Sequence, residues 1–127
     1  DGTVNKCVNL GWDVVNVPKK LSELLIFPKE KIKAGNDANV AALGEMWKGG
    51  GAGCQSIVMV TLGTGVGGGI ILGGKMLAGV NGAGGEIGHM QVKDDETETC
   101  GCGKKGCLEQ YTSATGIVRQ AKILLIL

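Results

Sequence analysis

The single histidine and three of the five cysteines stand at spacings that can close on one metal ion: His89, then Cys100-Gly-Cys102-Gly-Lys-Lys-Gly-Cys107-Leu-Glu109. Thiolate and imidazole are the ligands that borderline-soft Zn²⁺ prefers, and Gly101, Gly103 and Gly106 permit the tight backbone of a knuckle. A Cys3His set fills the tetrahedron, so a zinc held by His89, Cys100, Cys102 and Cys107 is expected to be structural, with no position left for water.

A second feature is the glycine loop Leu62-Gly63-Thr64-Gly65-Val66-Gly67-Gly68-Gly69. Backbone amides freed of side chains can wrap a phosphate, and Thr64 adds a hydroxyl. Gly63, Gly65 and Gly68 also spell G-x-G-x-x-G, with Glu86 near the distance of a dinucleotide site's acid. That fingerprint must open a helix, whereas here the chain runs into Ile70-Ile-Leu72 and a Gly-Gly turn, so the dinucleotide reading fails. The run from Gly69 to Lys75 imitates a P-loop but continues with Met76 where a hydroxyl for Mg²⁺ is required. A β-hairpin carrying a glycine loop is instead the way actin-like ATPases hold nucleotide phosphates.

Asp37, flanked by Asn36 and Asn39, is the third feature. Phosphoryl transfer to a hydroxyl needs a carboxylate within reach of that hydroxyl to accept its proton, and Asp37 is a candidate; taken alone, an Asn-Asp pair ahead of a helix is more often a cap.

The elements that must position these groups follow from periodicity. Pro18 to Leu25 predicts a short helix opened by proline, and Ile32 to Gly35 a short strand. Asn36-Asp-Ala-Asn39 opens an amphipathic helix with Val40, Leu43, Glu45, Met46 and Trp47, ended by Gly49-Gly-Gly51, which puts Asp37 at a strand-to-helix junction. A strand over 57–62, a glycine loop over 63–69, a strand near 70–72, a Gly73-Gly74 turn and a return over 75–77 complete a hairpin. Residues 109–127 read as largely helical, with Ser113 or Thr115 as caps and Gly116 a weak point. Cys7 and Cys54 are expected to be small buried apolar residues. Trp12, Trp47 and Tyr111 are expected to pack, and Lys104 and Lys105 to be solvated.

At 127 residues the chain can form one modest core. It has no initiator Met and ends in an apolar run, so it reads as a piece of a longer protein. Five apolar residues cannot span a bilayer and no leader opens the chain, so no membrane anchor is expected and a cytoplasmic location is. A net charge of +1 and 3% aromatics give nothing that draws nucleic acid. Scattered cysteines outside the cluster suit a reducing compartment.

Taken together and in order, Asn36-Asp-Ala-Asn-Val-Ala-Ala-Leu-Gly-Glu45, the loop 62–69, Gly84-Gly-Glu-Ile-Gly-His89 and Cys100–Glu109 resemble the ROK family of bacterial sugar kinases and repressors. The resemblance covers most of residues 9–121. The wording of Gly84–Met90 and Cys107–Arg119 is most similar to the glucokinases.

The resemblance implies an α/β chain, part of the two-lobed actin-like ATPase (ribonuclease H-like) fold. Residues 1–49 would end the small N-terminal lobe, with the catalytic Asp segment. Residues 50–127 would begin the large lobe, with phosphate hairpin and zinc knuckle, and a hinge would lie near 36–50. It implies Asp37 as catalytic base for the sugar 6-hydroxyl and Asn36 as a partner of the sugar ring, with Glu86, His89 and Glu109 holding the other hydroxyls. Gly63, Thr64, Gly65, Val66, Gly67 and Gly68 would meet ATP carrying Mg²⁺, and His89, Cys100, Cys102 and Cys107 would ligate zinc. His89 would then serve twice, one ring nitrogen on zinc and the other toward a sugar hydroxyl.

The activity implied is ATP-dependent phosphorylation of glucose to glucose 6-phosphate, within glycolysis, by a homodimer. The alternatives are a sugar-responsive transcriptional repressor of the same family, or a kinase for N-acetylmannosamine, N-acetylglucosamine or fructose, with polyphosphate as another donor. The family's first phosphate loop is absent; Asp1-Gly-Thr3 matches it in letters only and is assigned no nucleotide role. The segment by itself is expected not to turn over, because both halves of the nucleotide clamp are needed for in-line transfer.

Overall fold

The computed structural model describes residues 2–4 and 11–125. The expectation for Cys7 lies outside them. The described chain forms two compact units that divide between Asn36 and Asp37. The helix that follows Asn36 packs with the second unit.

In the first unit, β1 (Thr3–Val4) pairs antiparallel with β2 (Val15–Asn16), Thr3 opposite Asn16. Asn16 joins strand to helix with one side chain: its Nδ2 donates to Thr3 Oγ1 at 3.0 Å, and its Oδ1 accepts the Lys19 amide at 2.9 Å. It thereby caps α1 (Val17–Leu25), with buried Pro18 in the first turn where a missing N–H costs nothing. The proline-opened helix is as expected. The strand expected over 32–35 is not formed: a 3-10 turn over Lys29–Lys31 precedes an irregular run. Only Ile32 is a large apolar residue there, set between two lysines, and no strand among the described residues pairs with it.

The second unit is built on an antiparallel sheet of β3 (Ile57–Leu62), β4 (Val66–Leu72) and β5 (Lys75–Met76), in that order. Gly73 and Gly74 both adopt positive φ, +54° and +75°, as a two-residue hairpin turn of matching twist requires. The glycine loop is shorter than expected. It spans residues 63–65, and Gly67, Gly68 and Gly69 lie inside β4.

Their place in the strand explains them. Side chains alternate across a strand, and here two different elements press on the two faces. A Cβ on Gly69 would stand 2.6 Å from Ala42 Cβ and 2.7 Å from the Ala38 carbonyl, and one on Gly67 would stand 3.2 Å from Ala38 Cβ. On the other face, a Cβ on Gly68 would stand 2.5 Å from the Gly85 carbonyl and 2.9 Å from Ile87. The glycine run lets α2 (Asp37–Lys48) and the segment 84–89 approach one backbone from opposite sides.

The helix over 37–48 is as expected, but its buried residues are Ala38 and Ala42. Val40, Leu43 and Trp47 are exposed, Trp47 at 76%, so its expected packing role is not met; Trp12 is exposed as well. Asp37 follows an irregular run rather than a strand. Cys54 is exposed rather than buried.

A 3-10 turn over Ile87–His89 leads to the cysteine segment, after which α3 (Glu109–Thr112) and α4 (Ala114–Leu125) follow. The largely helical stretch divides at Ser113, which is extended and fully buried. Its hydroxyl donates to the Glu109 carbonyl at 2.7 Å and accepts the Gly116 amide at 2.9 Å, closing α3 and capping α4 as the sequence suggests. Gly116 is a close-packing position rather than a weak point: a Cβ would lie 2.7 Å from the Glu109 carbonyl. No helix among the described residues is long and apolar enough to cross a membrane.

Candidate functional site

The four residues singled out as metal ligands come together. The ligating atoms of His89, Cys100, Cys102 and Cys107 all lie within 4.8 Å of one another. Cys102 and Cys107 sulfurs are 3.6 Å apart, and His89 Nδ1 is 3.7 Å from Cys100 Sγ. A tetrahedron with Zn–S near 2.3 Å and Zn–N near 2.0 Å has edges of about 3.8 Å and about 3.6 Å, so the donor set fits zinc in size as well as chemistry.

Hydrogen bonds of the knuckle backbone hold the thiols in place. The Cys100 amide donates to the Lys104 carbonyl at 2.7 Å, and the Leu108 amide to the Met90 carbonyl at 2.8 Å. Burial, then the neighbouring Cys102 and Cys100, push the Cys107 thiol up to about 12. The exposed Cys102 thiol is lowered, chiefly by the Lys104 amide. A bound cation would deprotonate the set outright.

His89 faces two ways. While Nδ1 lies toward Cys100, Nε2 is 3.9 Å from the Glu86 carboxylate, and both side chains keep access to solvent, at 30% and 47%. One nitrogen on the metal side and one on the open side is what a ligand that also meets a substrate requires. Lys104, expected to be solvated, donates from Nζ to the His89 carbonyl at 2.8 Å.

Glu109 reaches the glycine turn. Its Oε2 accepts the Val66 amide at 2.9 Å, and its Oε1 is 3.9 Å from Cys100 Sγ. Within the turn the Gly63 amide donates to the Gly65 carbonyl at 2.9 Å, while the amides of Thr64 and Gly65 make no hydrogen bond within the described residues. Glu86, His89, Glu109, the turn 63–66 and the thiols thus belong to one connected group.

Asp37 opens α2, whose Ala38 and Ala42 press on β4 from the face opposite Gly85 and Ile87. Its carboxylate is exposed and accepts the Ala38 amide at 2.9 Å. Asn36 closes the first unit.

Sequence reasoning missed three supports. Gln110 accepts the Cys107 amide and donates to the Glu98 carbonyl, both at 3.0 Å. Glu96 takes hydrogen bonds from Tyr111 and Arg119, tying the segment before the knuckle to the helices after it, so Tyr111 is a hydrogen-bonding residue more than a packing one. Ala114 and Thr115 bond to the glycine turn. The third had a signal in its hydroxyl-rich wording; the others had none.

Comparison with known proteins places these features. A model of the ROK family matches residues 1–124. The chain is 51% identical over 120 residues to a glucokinase of Halalkalibacterium halodurans, covering 94% of this chain and 36% of the relative. Among solved structures it is similar to a ROK family glucokinase from Streptomyces griseus in complex with glucose and AMPPNP, with TM-score 0.77, 41% identity, and coverage of 96% of this chain and 38% of that one. It is also similar to a ROK family transcriptional regulator homologous to the E. coli MLC protein, with TM-score 0.79, 26% identity and coverage of 97% and 30%. The chain spans a little over a third of the length of the curated relative. The mixed α/β architecture is that of ROK sugar kinases, with their actin-like ATPase fold.

Proposed function

The chain belongs to the ROK family, and from that premise we propose that the full-length protein transfers the terminal phosphoryl group of ATP to the 6-hydroxyl of glucose. The observation that carries this reading is the geometry of Glu109, whose carboxylate touches the glycine turn and lies beside the knuckle that holds His89, so that a sugar-facing group and a phosphate-facing turn share one support. The wording of the glucokinase relative supports it, and the solved glucokinase binds glucose and AMPPNP in the same architecture.

Each residue then has a task. Glu86, Glu109 and the outward nitrogen of His89 accept or donate to the sugar hydroxyls, with Asn36 on the sugar ring. The amides of Thr64 and Gly65 are available to phosphate oxygens, and Gly67 and Gly68, committed to packing inside β4, serve the turn only by shaping it. Asp37 takes the proton of the 6-hydroxyl as the new O–P bond forms and the bond to ADP breaks. Zinc on His89, Cys100, Cys102 and Cys107 would fix the ring orientation of His89. Mg²⁺ would arrive with the nucleotide. The protein is expected in the cytoplasm, as a homodimer.

A second reading, a sugar-responsive repressor, is favoured by the likeness to the transcriptional regulator. The test is ATP-dependent phosphorylation by the full-length protein over glucose, fructose, N-acetylglucosamine and N-acetylmannosamine, with polyphosphate as an alternative donor, and zinc content measured on the same samples. Turnover on glucose that falls by about two to four orders of magnitude in Asp37→Asn supports the glucokinase. Sugar binding without turnover supports the repressor, and preference for another hexose reassigns the substrate.

A further inference from the structure

The tip of the glycine hairpin is held by residues about fifty positions further along. The Gly63 carbonyl accepts the Ala114 amide at 2.8 Å, and the Thr64 carbonyl accepts the Thr115 hydroxyl at 2.9 Å. With the Val66 amide on Glu109, the turn and the first residue of β4 together have three anchors, all from residues 109–115. The Thr115 hydroxyl has one proton, and the Thr64 carbonyl takes it.

These anchors fix more than the carbonyls. A carbonyl and the following N–H belong to one rigid plane and point in opposite directions. Pinning the Gly63 carbonyl therefore aims the Thr64 amide, and pinning the Thr64 carbonyl aims the Gly65 amide. Those are the two amides of the turn that make no hydrogen bond within the described residues. Without the anchors the Gly-Thr-Gly tip would reorient its planes freely, since glycine gives up more conformational freedom than any other residue when it is ordered.

We infer that Thr115 is a positioning residue for the nucleotide: its hydroxyl holds the Thr64–Gly65 peptide so that the freed amides face the phosphates. The inference rests on the proposed phosphate-binding role of the turn. It also gives the segment after the knuckle a part in nucleotide binding, in addition to its part in the sugar site. Thr115 is exposed, and Val keeps its shape while removing the donor.

The test compares full-length wild type, Thr115→Val and Thr115→Ser by two-substrate kinetics and by calorimetric binding of MgADP. Thr115→Val is expected to raise the KM for MgATP and the Kd for MgADP by roughly five- to tenfold, with the KM for glucose and the Tm unchanged, and Thr115→Ser to restore wild-type values. Unchanged nucleotide constants in Thr115→Val, equal impairment in Thr115→Ser, or a parallel rise in the sugar KM would overturn it. A wild-type protein that binds MgADP in a Thr115-dependent way but phosphorylates no hexose overturns the proposed activity alone. One that binds no nucleotide overturns both.

Discussion

Glu109 and Val66, 43 residues apart in the chain, are joined by a hydrogen bond of 2.9 Å from the Val66 amide to the Glu109 carboxylate. The other carboxylate oxygen lies 3.9 Å from the Cys100 thiol. A charge-assisted bond of this kind is stronger than one between neutral groups, and it leaves Glu109 in contact with the hairpin while it belongs to the knuckle. Among the described residues Glu86 has no such second contact; its carboxylate lies 3.9 Å from His89 Nε2.

The two glutamates are therefore expected to separate in kinetics. In the full-length protein, Glu109→Ala should raise the KM for both glucose and MgATP, the latter by about ten- to a hundredfold, the scale of a lost hydrogen bond to a charged group. Glu86→Ala should raise the KM for glucose alone. Matched initial-rate surfaces for the two variants check this, and a Glu109 variant with an unaltered MgATP constant would remove the link between knuckle and hairpin.

Some of this was legible in the sequence and some was not, for physical reasons. Cys100, Cys102, Cys107 and His89 could be read as one site because the residue types are rare and their spacing is short. The Gly73-Gly74 turn and the Pro18 helix start could be read because each depends on backbone conformations that few residues supply. Gly67, Gly68 and Gly69 looked like loop because glycine signals freedom locally; only the arrival of α2 and of residues 84–89 on opposite faces of β4 turns them into packing positions. For the same reason the buried stripe of α2 fell on Ala38 and Ala42, where small size matters more than hydrophobicity. The bonds from Ala114 and Thr115 to the turn join residues about fifty positions apart, and no local pattern encodes them.

That contrast between glycines can be measured. Gly44 is exposed in the middle of α2 with nothing within 4 Å of a would-be Cβ, whereas Gly69 is buried against Ala42 and the Ala38 carbonyl. Gly44→Ala should stabilise the protein by about 0.5–1 kcal/mol through helix propensity. Gly69→Ala should destabilise it by about 1–3 kcal/mol through overpacking between strand and helix. Denaturant melts of both variants decide the matter, and a harmless Gly69→Ala would show that α2 does not press on β4 as described.

Glu96 supplies a pH test of the clasp around the knuckle. Its carboxyl, ordinarily near 4.5, is held down at about 2, first by the Tyr111 hydroxyl, then by the Glu98 amide, with help from the Arg119 charge and the Thr97 amide and against the effect of burial. Arg119 also reaches Glu98 at 3.2 Å and lies 5.5 Å from the Tyr111 ring centroid, so removing the Glu96 charge loosens a connected set. Because the folded value is depressed, the contribution of ionised Glu96 is fully present above about pH 4.5 and disappears as the pH falls through about 2. Glu96→Gln should therefore melt below wild type at pH 7, with the gap closing between pH 4.5 and pH 2. Comparing the two proteins at each pH cancels every titration that both share. A Tm difference as wide at pH 2.5 as at pH 7 would mean that the shape of the side chain, not its charge, holds residues 96–98 to the helices.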